Sequence, residues 1–323
     1  MKKEITVIGN AIVDVLAAPV SAAVFTSGSQ PVDTVKLAFG GDGLNESVVL
    51  ARLGKQADLI TKVGKDEAGA RVLEFLKDSG VSVDNVIVED GIDTSINVVL
   101  IDEKGERHFL TNPSGSQRKL AESDLDPFLD SLGDIVSFAS IFVSPMMDIP
   151  AMTSLFRKIK EKPGRVLAAD LTKAKNGESL DDLAALLPYV DYILPNEAEI
   201  ALLTGDRDPE RNAQRLIDGG AACAVIKCGS EGCLIKTKEE TVRIPAYPVE
   251  SCVDTTGAGD SFAAGFLWAL SEGMPLADCG CFACAVASCN VEQVGSTDGI
   301  ASSEIPLERY RVIKKAMEEN TGV

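Results

Sequence analysis

Short β-rich apolar runs alternate with helical patterns over most of this chain, and that rhythm restricts the fold more than any other feature. Residues 5–15, 58–61, 135–143, 165–170, 192–194 and 222–227 read as strands. Helical patterns fill 44–53, 68–79, 151–160, 180–187, 196–204, 209–218 and 257–271. Strands joined by crossover helices pair in parallel and are covered on both faces, so a three-layer α/β/α architecture with a mainly parallel central sheet is expected. Residues 232–236 and 241–244, parted by a short polar turn, read as an antiparallel hairpin. Two segments break the rhythm. Residues 16–39 are rich in Ala, Ser, Thr and Pro, and residues 94–111 form a hairpin turning at 103–105. Together they are expected to build a small β-sheet lid over the edge of the main sheet. No stretch has linker composition, so residues 1–323 are read as one α/β domain with the lid inserted in it.

Forty-nine acids against 31 bases give a net charge of −18, with no cluster of Lys and Arg to offset it. Such a surface repels nucleic acid, while a few local amides and one cation still suffice to hold a nucleotide. The start, MKKEITVIGNAIVDV, has a basic beginning like a secretory leader, but Glu4, Asn10 and Asp14 interrupt its apolar region. No apolar run is long enough to span a bilayer, so a cytoplasmic protein without a membrane partner is expected. All eight cysteines fall between Cys223 and Cys289, a distribution unlike a disulfide framework. Cys281 and Cys284 have metal-ligand spacing. However, PLADCGCFACAVASCNVEQVG reads as one small-residue helix packed against a neighbour, with no second pair to complete a tetrahedron.

The run from Asp254 to Asp260, DTTGAGD, opens straight into the apolar helical stretch SFAAGFLWAL. A Gly-Ala-Gly turn at a helix start leaves backbone N–H groups unpaired, with the positive end of the helix dipole behind them. Such a turn holds an anion, typically phosphate. Asp260 adds a base beside that anion, which suits proton removal from a hydroxyl attacking phosphorus. Acid–base work falls to carboxylates or lysines, of which Asp260 has the best surroundings, because the single histidine, His108, lies in the hairpin of 94–111 and no Ser/His/Asp set can be assembled without it. Amides, Mg²⁺ and one base supply what phosphoryl transfer needs.

Four further motifs accompany it. In FGGDGLNESVVLARLG, Gly40, Gly41 and Gly43 permit close backbone approach and Asn45 sits near a helix start, suiting either a polyol's hydroxyls or a simple cap. Asp14 closes the first apolar run, where α/β ligands bind. In LPNEAEIALLTG, Asn196 and Glu199 share a helix face, either as a capping box or with Glu199 orienting water around a phosphate-bridging Mg²⁺. KCGSEGCLI places Lys227, Gly229 and Gly232 after a strand, as a turn or along nucleotide phosphates. Neither GxGxxG nor GxxxxGK[ST] occurs, which disfavours an NAD-linked oxidoreductase and a P-loop NTPase.

In this order and spacing, GGDGLN, PNEAE, KCGSEG and DTTGAGD resemble the ribokinase-like (PfkB) carbohydrate kinase family, from Gly9, Asn10 and Asp14 to VEQVG near residue 295. The resemblance implies an ATP-dependent kinase that uses Mg²⁺. Asp260 would be the catalytic base, with Gly257, Ala258 and Gly259 as the anion hole. Asp14, Gly40, Gly41 and Asn45 would hold the sugar. Asn196, Lys227, Gly229, Gly232 and Asn290 would serve the nucleotide, and Glu199 would act on Mg²⁺ through water. Asp254 and Thr256, with the backbone near Asn290, Gln293 and Gly295, match a monovalent-cation site, potassium above all, although Gln293 stands where ribokinases carry arginine. Edge strands of such a lid pair with a second subunit, so a homodimer through the lid is expected.

The middle stretch, AADLTKAKNGESL, has Thr172 and Lys173 where fructokinases and 2-keto-3-deoxygluconate kinases carry a DxNxR-like pattern. Ile12 stands where ribokinases have Asn, and adenosine-type kinases show an apolar residue there. A neutral furanose (ribose- or fructose-like) or a nucleoside, phosphorylated on a primary hydroxyl, is therefore expected. A catalytically silent sugar or nucleoside sensor on the same fold is the alternative from another class.

Overall fold

The structure, a computed structural model, describes residues 4–321. Lys2 and Lys3 of the leader-like start lie outside the described residues. The strands are β1 (Ile5–Ile8), β2 (Ile12–Ala18), β3 (Thr34–Gly40), β4 (Ala57–Gly64), β5 (Val86–Glu89), β6 (Ile96–Ile101) and β7 (Arg107–Thr111). They continue with β8 (Ile135–Ile141), β9 (Val166–Leu171), β10 (Tyr192–Ile193), β11 (Cys223–Lys227), β12 (Cys233–Lys236) and β13 (Thr241–Ile244). The α-helices are α1 (Val24–Ser27), α2 (Asp42–Arg52), α3 (Glu67–Asp78), α4 (Glu122–Leu125) and α5 (Ile149–Lys160). After them come α6 (Glu197–Thr204), α7 (Pro209–Asp218), α8 (Ala258–Ser271), α9 (Leu276–Asn290) and α10 (Glu304–Thr321).

Nine strands form the main sheet in the order β13-β12-β11-β10-β9-β8-β1-β4-β5. From β11 to β5 every neighbouring pair is parallel, and β12 and β13 close the other edge as the expected antiparallel hairpin. Successive residues of a strand point to opposite faces, and both faces here are apolar. Val7, Ala168 and Val225 join a core with Val48, Phe262 and Phe282 of α2, α8 and α9. Ile8, Leu167 and Ile226 join a second core with Phe156 and Leu216 of α5 and α7. A sheet buried on both sides is the reason its strands read as continuous apolar runs.

The 5–15 run proves to be two strands. The chain leaves the main sheet after Ile8, and the amide of Asn10 donates to Asp42 Oδ1 at 2.6 Å. It then re-enters pairing as β2 of a second sheet, ordered β3-β2-β6-β7. There β2 pairs antiparallel with β3 and parallel with β6, and β6 pairs antiparallel with β7. The expected helix at 180–187 is a 3-10 turn, Leu180–Ala185, because Pro188 follows too closely for a longer α-helix. Strand β5 and helix α10 were not distinguished in the sequence. As expected, α9 is a buried small-residue helix on α8, where Phe282 stacks on Trp268 with centroids 4.4 Å apart. All eight cysteines are free thiols. Among the described residues no helix is long and apolar enough to cross a membrane.

Candidate active site

The carboxyl ends of β9, β10 and β11 open onto a cleft of about 530 Å³, bounded above by Asp14 of β2 and Phe109 of β7. A second cleft of about 380 Å³ runs between the β11–β12 turn, with Gly229 and Gly232, and the helices α8 and α9. Asn196, Lys227 and Gly259 line both, so the two spaces meet at these residues.

Helix α8 begins at that junction. Gly257 is its N-cap at φ 71°, and a Cβ there would lie 2.1 Å from the Ser296 carbonyl oxygen, so only glycine fits. The amide of Ala258 donates to the Thr255 carbonyl at 3.2 Å. Among the described residues, the amides of Gly257, Gly259 and Asp260 have no such partner. The open donors thus differ by one from the expected Gly257–Ala258–Gly259 set, because Ala258 closes the preceding turn. Asp260, in the first turn of α8, accepts a bond from Asn45 Nδ2 at 2.6 Å. Loss of solvation at the cleft floor pushes its carboxyl up to about 6, aided by Asp42 and Glu199 and opposed by Asn45 and Lys227.

Lys227, at the end of β11, forms a close ion pair with Asp170 of β9. An ideal Cβ on Gly259 would lie 3.5 Å from its Nζ, so the ammonium sits beside the α8 turn. Burial opposes the charge of Lys227, but Asp170, Glu199 and Asp260 together hold its pKa above the usual lysine value. Burial moves the Asp170 carboxyl up to about 7 against the pull of Lys227.

Helix α2 supplies more than the expected Asn45. Its N-cap Gly41 has φ 100°, and Asp42 accepts from its neighbour Gly43's amide as well as from Asn10. Glu46 is fully buried behind Asp260 and accepts from Ser137 Oγ at 2.7 Å. Burial raises its carboxyl well above the normal range, and the nearby charges of Asp260, Asp170 and Asp42 add to this. These causes all favour the protonated form, and only the Ser137 bond opposes them. Asp42 and Glu46 escaped sequence reasoning although their four-residue spacing on one helix was a usable sign.

On the second sheet, the β2–β6 register sets Asp14 opposite Asn97, whose Nδ2 donates to Asp14 Oδ1 at 3.0 Å. Burial raises the Asp14 carboxyl, while Asn97 and the charge of Arg107 draw it back. Gly40 abuts the same carboxylate: a Cβ there would lie 2.9 Å from Asp14 Oδ2. No local signal announces Asn97, because it meets Asp14 only through strand pairing.

Asn196 and Glu199 form the capping box of α6: Asn196 Oδ1 accepts the Glu199 amide, and Glu199 Oε2 accepts the Asn196 amide, each at 2.8 Å. Both nonetheless line the first cleft, and the cap leaves Glu199 Oε1 outside its bonds. Asn290 is fully buried, and its Nδ2 donates to the Thr256 carbonyl at 2.7 Å. It props the turn from behind instead of facing the nucleotide-sized cleft. Asp254 Oδ1 accepts from the Thr256 amide at 3.0 Å and hydroxyl at 2.7 Å, and Oδ2 accepts from the Gly295 amide at 3.0 Å and Arg107 Nη2 at 2.6 Å. A guanidinium therefore stands where the sequence suggested a free monovalent cation.

Several known proteins are similar to this chain. The chain is 33% identical over 254 residues to an uncharacterized sugar kinase of Archaeoglobus fulgidus, covering 79% of this chain and 98% of that protein. It is 33% identical over 264 residues to the probable chloroplastic fructokinase-6 of Arabidopsis thaliana, covering 78% of this chain and 67% of that one. The Arabidopsis thaliana ribokinase complexed with ribose and ATP shares the fold at a TM-score of 0.81 and 24% identity, over 96% of this chain and 99% of that chain. The family model described as pfkB family carbohydrate kinase matches residues 2–303, and the chain belongs to that family.

Proposed function

We propose that this protein transfers the γ-phosphate of ATP to a primary hydroxyl of a furanose sugar or nucleoside, with Asp260 as the general base. The observation that carries this reading is the junction at α8. A carboxylate with its pKa at about 6 lies beside three open amides and a buried ammonium, where two clefts meet. The larger cleft holds the acceptor, and the one by Gly229 and Gly232 holds the nucleotide. The amides of Gly257, Gly259 and Asp260, with Lys227, stabilise the charge on the phosphoryl group in flight. Asn45 fixes the Asp260 rotamer so that its free oxygen takes the hydroxyl proton as the new O–P bond forms. Asp14, steadied by Asn97, and the backbone at Gly40 and Gly41 accept and donate to the acceptor's other hydroxyls.

Magnesium fits the donor set: Glu199, whose Oε1 is free of the α6 cap, lines the larger cleft and suits a hydrated ion that keeps its waters. When bound, the ion neutralises phosphate charge. One fold neighbour from E. coli was solved with ATP and Mg²⁺. The second sheet acts as a lid that excludes water, and the apolar residues on its outer face, Val35 and Leu37 at 70% and 60% exposure, suit pairing with a second copy. Relatives named ribokinase, fructokinase and aminoimidazole riboside kinase support a furanose or nucleoside acceptor, beside one named 2-dehydro-3-deoxygluconokinase. Phe109 in the acceptor cleft keeps a nucleoside as the second reading, since an aromatic face can stack on a base.

The test is ADP release from MgATP with a panel of neutral sugars, acidic sugars and nucleosides. Stimulation by one neutral furanose or nucleoside is expected. Binding without turnover across the panel would instead make the protein a sensor.

A further inference from the structure

Arg107 lies on β7, and its register partner on β6 is Ile101. Phe109 lines the cleft, and alternation along β7 sets Arg107 on that same face and His108 and Leu110 on the opposite one. From there Arg107 Nη2 reaches Asp254 Oδ2 at 2.6 Å, across 147 residues of sequence. The pair is well shielded, with side-chain exposures of 25% for Arg107 and 8% for Asp254. The same carboxylate gathers the Thr256 amide and hydroxyl and the Gly295 amide. One acidic group therefore joins the second sheet, the turn leading into α8, and the loop after α9.

This arrangement does not fit a free alkali cation on Asp254. Both carboxylate oxygens are engaged, and an incoming ion would have to displace the guanidinium. Asn290 Oδ1 is buried without a partner among the described residues, but one oxygen falls short of a cation's donor shell.

We infer that Arg107 is the enzyme's built-in monovalent cation: a guanidinium carried by the second sheet sets the turn at Asp254–Gly257 and makes its geometry conditional on where that sheet lies. Arg107 is thus a positioning residue, acting through Asp254 and Thr256 on the open amides of Gly257 and Gly259. The inference rests on the phosphoryl-transfer reading for its kinetic consequence, though not for its structural one. Misplacing a reacting group by an ångström costs on the order of 10²-fold in rate, and that is the loss expected when the link is cut.

Two measurements test this. The first is turnover of wild type, Arg107→Ala and Arg107→Lys with an active acceptor, in potassium, guanidinium or tetramethylammonium chloride at fixed ionic strength. Wild type should be indifferent to the cation. R107A should lose roughly 10²-fold in kcat with its KM for ATP little changed, and recover in part with potassium or guanidinium but not with tetramethylammonium. R107K should stay close to wild type. Strong potassium activation of wild type, or no kcat loss in R107A, overturns the inference. The second is hydrogen exchange of the 254–261 segment without ligand. It should accelerate in R107A and be slowed again by guanidinium, and unchanged exchange overturns the link. Should no acceptor be phosphorylated by wild type, the kinase reading fails, while the exchange experiment still decides the role of Arg107.

Discussion

Asn45 Nδ2 and Asp260 Oδ2 stand 2.6 Å apart, joining the first turns of helices α2 and α8 across 215 residues of sequence. The bond occupies one oxygen of the proposed base, a residue that lines the larger cleft. Asp260→Asn keeps the bond's shape and removes the basicity. Turnover should fall by roughly 10²–10⁴-fold, while ATP binding measured by calorimetry is retained. Turnover near wild type would remove Asp260 from the base role.

The pH profile follows from the same carboxyl. Asp260 acts when ionised, and its pKa is about 6, so kcat/KM should drop as pH falls through that value. The Asn45 bond favours the ionised form. Asn45→Ala should therefore move the acidic limb upward, a shift that initial-rate measurements between pH 5 and 8 would register.

Lys227 and Asp170 are a nearly buried pair with side-chain exposures of 11% and 7%. Breaking such a pair strands a charge and costs about 3–5 kcal/mol. Lys227→Met should show a loss of this order in denaturant unfolding at pH 8, shrinking toward pH 5 as Asp170 takes a proton. Adding Asp170→Asn should restore stability but not activity, because the cation beside Gly259 remains missing.

Burial favours the protonated form of Glu46 in the fold more than in the unfolded chain. The native state then binds more protons, so stability falls as pH rises above the ordinary glutamate value. Per proton the slope is at most about 1.4 kcal/mol per pH unit. Glu46→Gln lacks this term. Its unfolding free energy relative to wild type should rise steadily between pH 5 and 8, and parallel curves for the two proteins would show that Glu46 is ionised in place.

The second sheet is proposed to close over the acceptor. Hydrogen exchange across 94–111 should slow when a phosphorylatable acceptor saturates the cleft. Identical exchange with and without it would make that sheet a fixed wall.

The α/β rhythm was legible because strands buried on both faces must be continuously apolar, and DTTGAGD was legible because anion-holding amides demand glycine next to a helix start. What escaped detection depends on pairing between distant segments. Asn97 meets Asp14 only through the β2–β6 register, and Arg107 meets Asp254 only when the second sheet folds over the cleft. Likewise, the division of the run at 5–15 is marked in the sequence only by Gly9 and Asn10, and the Asn10 amide finds its partner, Asp42, on another element. Asn290 was assigned to the nucleotide by its neighbourhood in the chain, yet its side chain turns inward to the Thr256 carbonyl.

The split of β1 from β2 gives the two halves of the site different carriers. Asp14 rides on the outlying sheet, whereas Asp260 is anchored in the main body. On the proposed reading, grip on the acceptor and removal of its proton are tasks of separate pieces, tied to each other by the Arg107–Asp254 pair. Water would meet Asp260 without the hold of Asp14, so on that reading thrift with ATP is a property of how this chain is divided.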